Sequence, residues 1–243
     1  MLESGADITL KDIHGSCAIS RAHTPEVPEP LPEYCPPSHL NNMTKPRDKS
    51  ILLGSLTEGQ SGVRRMDAYE ETQNIRFASL LIDAGADINL GTVYGASPLS
   101  YMVRWDYPTT TKFLLDSGSD VNSVCKNGRT VVMETVQYDA RASLAVILSE
   151  PRDFDFALKD RGSWNMLHYL AWFGSIDMLK LFEAVDVAGT DADSGVIIAD
   201  SKTCEGHTPM DLAIDRLEGG WYLDRVGEEV DNDEFYDAIE TPV

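Results

Sequence analysis

The chain reads as an all-α solenoid of stacked helix-turn-helix units, with short hairpin turns between the helix pairs. Three observations predict this. Residues 76–89, R-F-A-S-L-L-I-D-A-G-A-D-I-N, recur in altered form at 112–122, K-F-L-L-D-S-G-S-D-V-N, so that Gly85 and Gly118, Asp87 and Asp120, and Ile88 and Val121 each stand 33 residues apart. Self-similarity at a fixed period is the signature of a repeat architecture. A third copy, L-E-S-G-A-D-I, opens the chain at Leu2. Each copy is an apolar helical run closed by a glycine, which takes the left-handed conformation at a helix C-terminus without a Cβ clash. Finally, a glycine-led motif follows each predicted hairpin tip and opens the next helix.

That motif reads G-H-T-P-M-D-L-A at 206–213, G-A-S-P-L-S-Y-M at 95–102 and G-R-T-V-V-M-E-T at 128–135. With one extra residue it is G-S-W-N-M-L-H-Y-L-A at 162–171, and it is G-S-C-A-I-S-R-A at 15–22. A Ser or Thr hydroxyl caps a helix N-terminus, and Pro fits the first helical turn because its missing N–H had no partner there. Five matches in register resemble the ankyrin repeat and its G-x-T-P-L-H-x-A pattern. The resemblance covers residues 1–22, 70–182 and 202–216, about two thirds of the chain. It implies a stack held by burial between neighbouring units.

Taken in order, residues 1–11 are a partial repeat, which favours a fragment of a longer repeat protein over a frayed first helix. Residues 12–45 form a degenerate repeat. In it, Pro28, Pro30 and Pro32 would each cost about 3 kcal/mol inside a helix, so 24–37 is expected to be extended rather than helical. The next repeat spans 46–91: Ser50, 33 residues after Cys17, opens I-L-L-G-S-L as its first helix. From Ser50 to Ser97 is 47 residues, a surplus of 14 placed in the polar stretch between Thr57 and Tyr69. Repeats follow at 92–124 and 125–158. Residues 159–201 hold another, with a second insertion after the helix ending near Phe182. A capping repeat at 202–220 and an acidic tail at 221–243 complete the chain. From Leu217 onward nine Asp and Glu face the single Arg225, a composition that favours solvated, partly disordered chain. Trp221, Tyr222 and Leu223 could fold back as a cap.

Composition narrows the function classes. The formal net charge is −20 and the pI near 4.4, which argues against nucleic acid or an anionic membrane as partner. A protein partner with a basic surface is permitted. Cys17, Cys35, Cys125 and Cys204 form no C-x-x-C pair, and no signal-peptide core opens the chain. They read as reduced thiols of a cytoplasmic or nuclear protein. No apolar run approaches the ~20 residues of a membrane span.

Chemistry finds little support. His168 stands at the His place of the motif, where a hydrogen bond to backbone of the neighbouring turn outweighs a role as base. No His or Cys pair has zinc-ligand spacing. Asp191, Asp193 and Gly195 fail the calcium-loop pattern. There is no nucleophile elbow or phosphate loop, and the 40 carboxylates read as a solvated surface. The expectation is a monomer that is not an enzyme and needs no metal or cofactor.

The resemblance implies binding through the hairpin tips and the exposed side of the first helices. Mapped residue by residue, it points to Tyr94, Asn127, Arg129, Arg161 and Trp164 at the tips. At the ends of the first helices it points to Arg104, Trp105, Tyr138 and Trp172, with Trp105, Tyr138 and Phe173 at equivalent places in three repeats. Aromatic and Arg side chains of this kind make binding hot spots. The function implied is a non-catalytic protein-interaction scaffold. The alternative is a substrate-recruiting fragment of a larger enzyme or ligase assembly.

Overall fold

The computed structural model describes residues 40–41, 43–44, 49–57, 65–149, 154–182 and 200–218. The proline-rich stretch, Cys17 and its motif, the second insertion, the Asp191–Asp193 loop and the acidic tail with Trp221 to Leu223 lie outside them. The described chain is all-α apart from one short hairpin, and it divides into two compact units, 1–152 and 153–243.

Among the described residues of the first unit, the first named elements are strands β1 (Met43–Thr44) and β2 (Lys49–Ser50), paired antiparallel. Three helix pairs come next: α1 (Ile51–Leu56) with α2 (Ala68–Asp83), α3 (Pro98–Arg104) with α4 (Pro108–Asp116), and α5 (Val131–Gln137) with α6 (Arg141–Leu148). Within each pair the two helices pack together. Between pairs α1 lies on α3 and α3 on α5, while α2 lies on α4 and α4 on α6. Buried Leu53, Leu81, Leu99, Met102, Leu114, Met133, Leu144 and Ile147 fill the layers between them.

The expected N-caps that fall among the described residues are in place. Ser50, Ser97 and Thr130 accept from the backbone N–H three residues on, and Pro98 takes the first turn of α3. Gly85 and Gly118 close α2 and α4 with φ of 96° and 94°. In each case the next N–H reaches back five residues, Ala86 to Leu81 at 2.9 Å and Ser119 to Leu114 at 3.0 Å, the bonding of a left-handed glycine cap.

The recurrent Asp-x-Asn proves to be more than a polar turn. Asn89 Oδ1 accepts from the Asp120 N–H at 3.0 Å, and Asn41 Oδ1 accepts from the Asp87 N–H at 2.7 Å. Each Asp in turn accepts from the Asn N–H two residues on. The Asn89 side chain thereby joins the first helix pair to the second, and Asn41, ahead of the hairpin, makes the same bond to the first.

The surplus between Ser50 and Ser97 is divided, not confined to a loop. The connection from α1 to α2 spans 57–67, against 105–107 in the next pair, and α2 has 16 residues where α4 has nine. The added helical turns fold because Asp67 and Glu70 form a reciprocal capping box at their start. Glu71 on the same turn accepts from both the N–H and hydroxyl of Thr110, at 2.9 and 2.7 Å, and so caps α4.

The second unit holds α7 (Met166–Phe173), α8 (Ile176–Leu181) and α9 (Pro209–Glu218). Asn165 caps α7, Ser175 caps α8, and Thr208 exchanges hydrogen bonds with Asp211 at the start of α9. Helix α9 packs against α7.

Candidate interaction surface on the hairpin turns

Tight turns lead into the first helices of both units. In the first unit they are 92–95 and 125–128, closed by Gly95 N–H to Thr92 O at 2.9 Å and Gly128 N–H to Cys125 O at 2.8 Å. Gly95 and Gly128 supply the left-handed residue at φ 78° and 80°. Lys126 N–H donates to Tyr94 O at 3.1 Å, so one turn is stitched to the next through backbone. In the second unit the turns are 160–163 and 203–206, joined in the same way by Cys204 N–H to Gly162 O at 3.0 Å.

On the first unit the turns present Tyr94 and Asn127 to solvent, with the Lys126 ammonium 5.5 Å from the Tyr94 ring centre. Val93 and Val124 are exposed beside them. Trp105 and Tyr138 are the C-caps of α3 and α5; Trp105 is half-buried and Tyr138 exposed. After each stands an Asp with positive φ, Asp106 at 54° and Asp139 at 51°. Asp106 accepts from the Ser143 N–H at 2.7 Å and so satisfies the first turn of α6.

Arg104 and Arg129 belong to a different structure. Glu134, read from the sequence as one more surface carboxylate, is fully buried in α5. Its Oε1 is 2.6 Å from Arg104 Nη2, and its Oε2 accepts from Arg104 Nε at 2.8 Å and from the Ser100 hydroxyl at 2.6 Å. Arg129 Nε stands 3.8 Å from the same carboxylate, and Arg129 Nη1 donates to Gln137 at 2.6 Å. Both arginine side chains are only 11% exposed, so they offer a partner little more than an edge. Burial opposes the charge on Arg104, but the hydrogen bonds and charge of Glu134 outweigh it, and the guanidinium holds its proton more firmly than an ordinary arginine. Its face lies 5.5 Å from the Tyr138 ring.

The second unit divides its three candidates as well. Arg161 is exposed at its turn and Trp172 is half-buried. Trp164 is buried, edge-on to Tyr169 and Trp172 at 5.6 and 6.3 Å and tilted against Phe173 at 6.4 Å. Asp160 organises that turn: Oδ1 accepts from the Gly162 and Trp164 N–H groups, both at 2.8 Å, and Oδ2 from the Tyr169 hydroxyl at 2.8 Å. Trp164 and Phe173 thus serve packing. Neither Glu134 nor Asp160 was singled out from sequence as structural; the signal for Glu134 was a lone acid inside the apolar run V-V-M-E-T-V.

His168 makes the bond its place suggested. It is buried, with Nε2 3.2 Å from the His207 carbonyl beside the neighbouring turn and Nδ1 accepting from the Asn165 N–H at 3.2 Å. Burial pushes the imidazole below its ordinary pKa, with the His207 carbonyl acting in the opposite direction. The unfolded chain, with His near pH 6.5, therefore binds more protons than the native state as the pH falls below that value. Stability should be flat above about pH 7, fall as pH drops through 6.5, and level off below the depressed native value. Urea unfolding followed by tryptophan fluorescence from pH 8 to 5 checks this. The slope should be smaller in His168→Gln, and equal slopes would assign the titration to other groups.

Among the described residues no cluster of three or more His, Cys, Asp or Glu could hold a metal, and no helix is long and apolar enough to cross a membrane. A groove of about 600 Å³ opens among the second helices of the first unit, its lining including Ile75, Pro108, Lys112, Phe113, Asp116 and Val146.

No family model matches the chain, and none of the curated proteins does.

Proposed function

We propose that this chain is an ankyrin-type repeat scaffold that binds another protein through its hairpin turns and the adjoining ends of its first helices, without catalysis. The repeat reading draws support from the 33-residue register of the N-caps Ser97 and Thr130 and of the glycine caps Gly85 and Gly118. It draws further support from like helices lying on like in successive pairs of the first unit. The binding reading rests on one observation. Of the five exposed large hydrophobic side chains described in the first unit, Val93, Tyr94, Val124 and Tyr138 stand at the turns and first-helix ends, and only Tyr69 does not. Apolar groups gathered on one side, rather than scattered, mark an interaction surface.

The chain's overall charge does not set what a partner meets there. Lys126 stands beside Tyr94 there, Asp139 is paired with Arg141, and Arg104 and Arg129 are held by buried Glu134, whereas Asp83, Asp87, Asp116 and Asp120 stand at the ends of second helices and in their glycine turns. A basic partner surface would find its acids on those turns or the tail. The proposal includes a monomer of the cytoplasm or nucleus that needs no cofactor.

The test is a pull-down with the full chain beside a Tyr94→Ala, Asn127→Ala, Tyr138→Ala variant. These side chains are exposed, so helicity by circular dichroism should be unchanged. If they are hot spots, each contributes about 2 kcal/mol or more, and the partner captured by the parent should be lost. Equal capture by a folded variant would overturn the site.

A further inference from the structure

The first helices of the first unit share an apolar pair two and six residues after the N-cap: Leu52 and Leu56 in α1, Leu99 and Val103 in α3, Val132 and Val136 in α5. All six are buried, and in each case the helix's own second helix, α2, α4 or α6, packs on it. Helix α9 keeps the same pattern. Two and six residues after Thr208 stand Met210 and Ile214, yet they are 68% and 45% exposed, while Leu212 between them is buried. Helix α9 therefore has its stacking contact with α7 and an open apolar face where its relatives carry a second helix.

The segment next in the chain after α9 has the right place and pattern to fill that face. Three of the four described second helices begin 11 residues after the N-cap, Pro108 after Ser97, Arg141 after Thr130 and Ile176 after Asn165, while the extended α2 begins 18 after Ser50; the same offset of 11 from Thr208 falls at Gly219. Gly219 and Gly220 suit the end of a helix and a reversal of the chain. Residues 221–230, W-Y-L-D-R-V-G-E-E-V, set Tyr222, Val226 and Val230 at i, i+4 and i+8 with Leu223 beside them, one apolar stripe at helical spacing. Asp224, Arg225, Glu228 and Glu229 fall off that stripe.

We propose that residues 221–230 dock along Met210 and Ile214 and complete the last helix pair, so that the end of the second unit is closed by the chain's own continuation. The occupant is this segment because it is tethered at the end of α9, which gives it a local concentration that no separate partner matches, and because its apolar spacing matches the pair left open.

Hydrogen exchange by mass spectrometry on the full chain tests this, with light scattering for the oligomeric state. Amides of 221–230 should be protected in a monomer. In Met210→Glu with Ile214→Glu that protection should be lost and the urea midpoint should fall, although on an open face such substitutions would be neutral. Leu223→Asp with Val226→Asp, which leaves α9 untouched, should expose the same segment and settles the matter if the first variant does not fold. Exchange of 221–230 at the rate of unfolded chain in the parent would overturn the proposal, as would unchanged protection in both variants. A parent dimer that the Met210→Glu, Ile214→Glu chain breaks into monomers would assign the face to a second copy and overturn it too.

Discussion

Glu134→Leu should lower the stability of the first unit by about 3–5 kcal/mol, the range for removing one partner of a buried ion pair. The substitution withdraws the carboxylate from Arg104 and Arg129 while both guanidinium groups stay within the fold, and it also strips the Ser100 hydroxyl of its acceptor. Urea titration followed by circular dichroism measures the loss. The second half of the test is recovery: Arg104→Met in the Glu134→Leu background should regain much of the stability, since a well-packed apolar replacement of a buried pair is often neutral or better. A loss below about 1 kcal/mol would be that of a surface pair and would refute the reading. Arg104 and Arg129 variants should accordingly act on stability before they act on binding.

Trp164→Ala should destabilise the second unit by about 3–5 kcal/mol, the usual cost of deleting a large buried aromatic. The indole is packed against Tyr169, Trp172, Phe173 and the His168 ring, while the backbone N–H of Trp164, which donates to Asp160, is kept by the substitution. Removing the indole opens a cavity beneath the turn that also carries exposed Arg161. Trp164→Phe keeps most of the apolar volume and should cost clearly less. Thermal unfolding of both variants beside the parent distinguishes packing from surface: equal midpoints for parent and Trp164→Ala would make Trp164 a contact residue after all. Any loss of binding in Trp164→Ala has to be read together with this loss of stability, which is why Arg161, in the same turn and exposed, is the better probe of that unit.

Most of the helix starts and stops were legible because they rest on local chemistry. A Ser, Thr or Asn that caps, a Pro at the first turn and a Gly with positive φ act within three or four residues of themselves. Ser97, Thr130, Asn165 and Thr208 accordingly stand where the pattern put them. The early start of α2 was missed although its capping box, Asp67 with Glu70, is local; what only packing shows is Glu71 meeting Thr110, 39 residues away. Of the proposed contact residues, Tyr94, Asn127, Tyr138 and Arg161 are exposed. Trp164, Arg104 and Arg129 are not, and sequence alone cannot separate the two groups: a turn position says where the backbone goes, not whether a neighbour's side chain closes over it.

By itself the sequence determined the 33-residue spacing, most of the helix starts and stops and the capping chemistry, since these rest on contacts near in sequence. Only the tertiary structure decided which charges are buried and which aromatics are free. Glu134 lies 30 residues from Arg104 along the chain and 2.6 Å from it in space. Whether a carboxylate is solvated surface or the centre of a buried pair depends on what the next helix pair brings against it, and that is set by packing between pairs, not by any pattern within one.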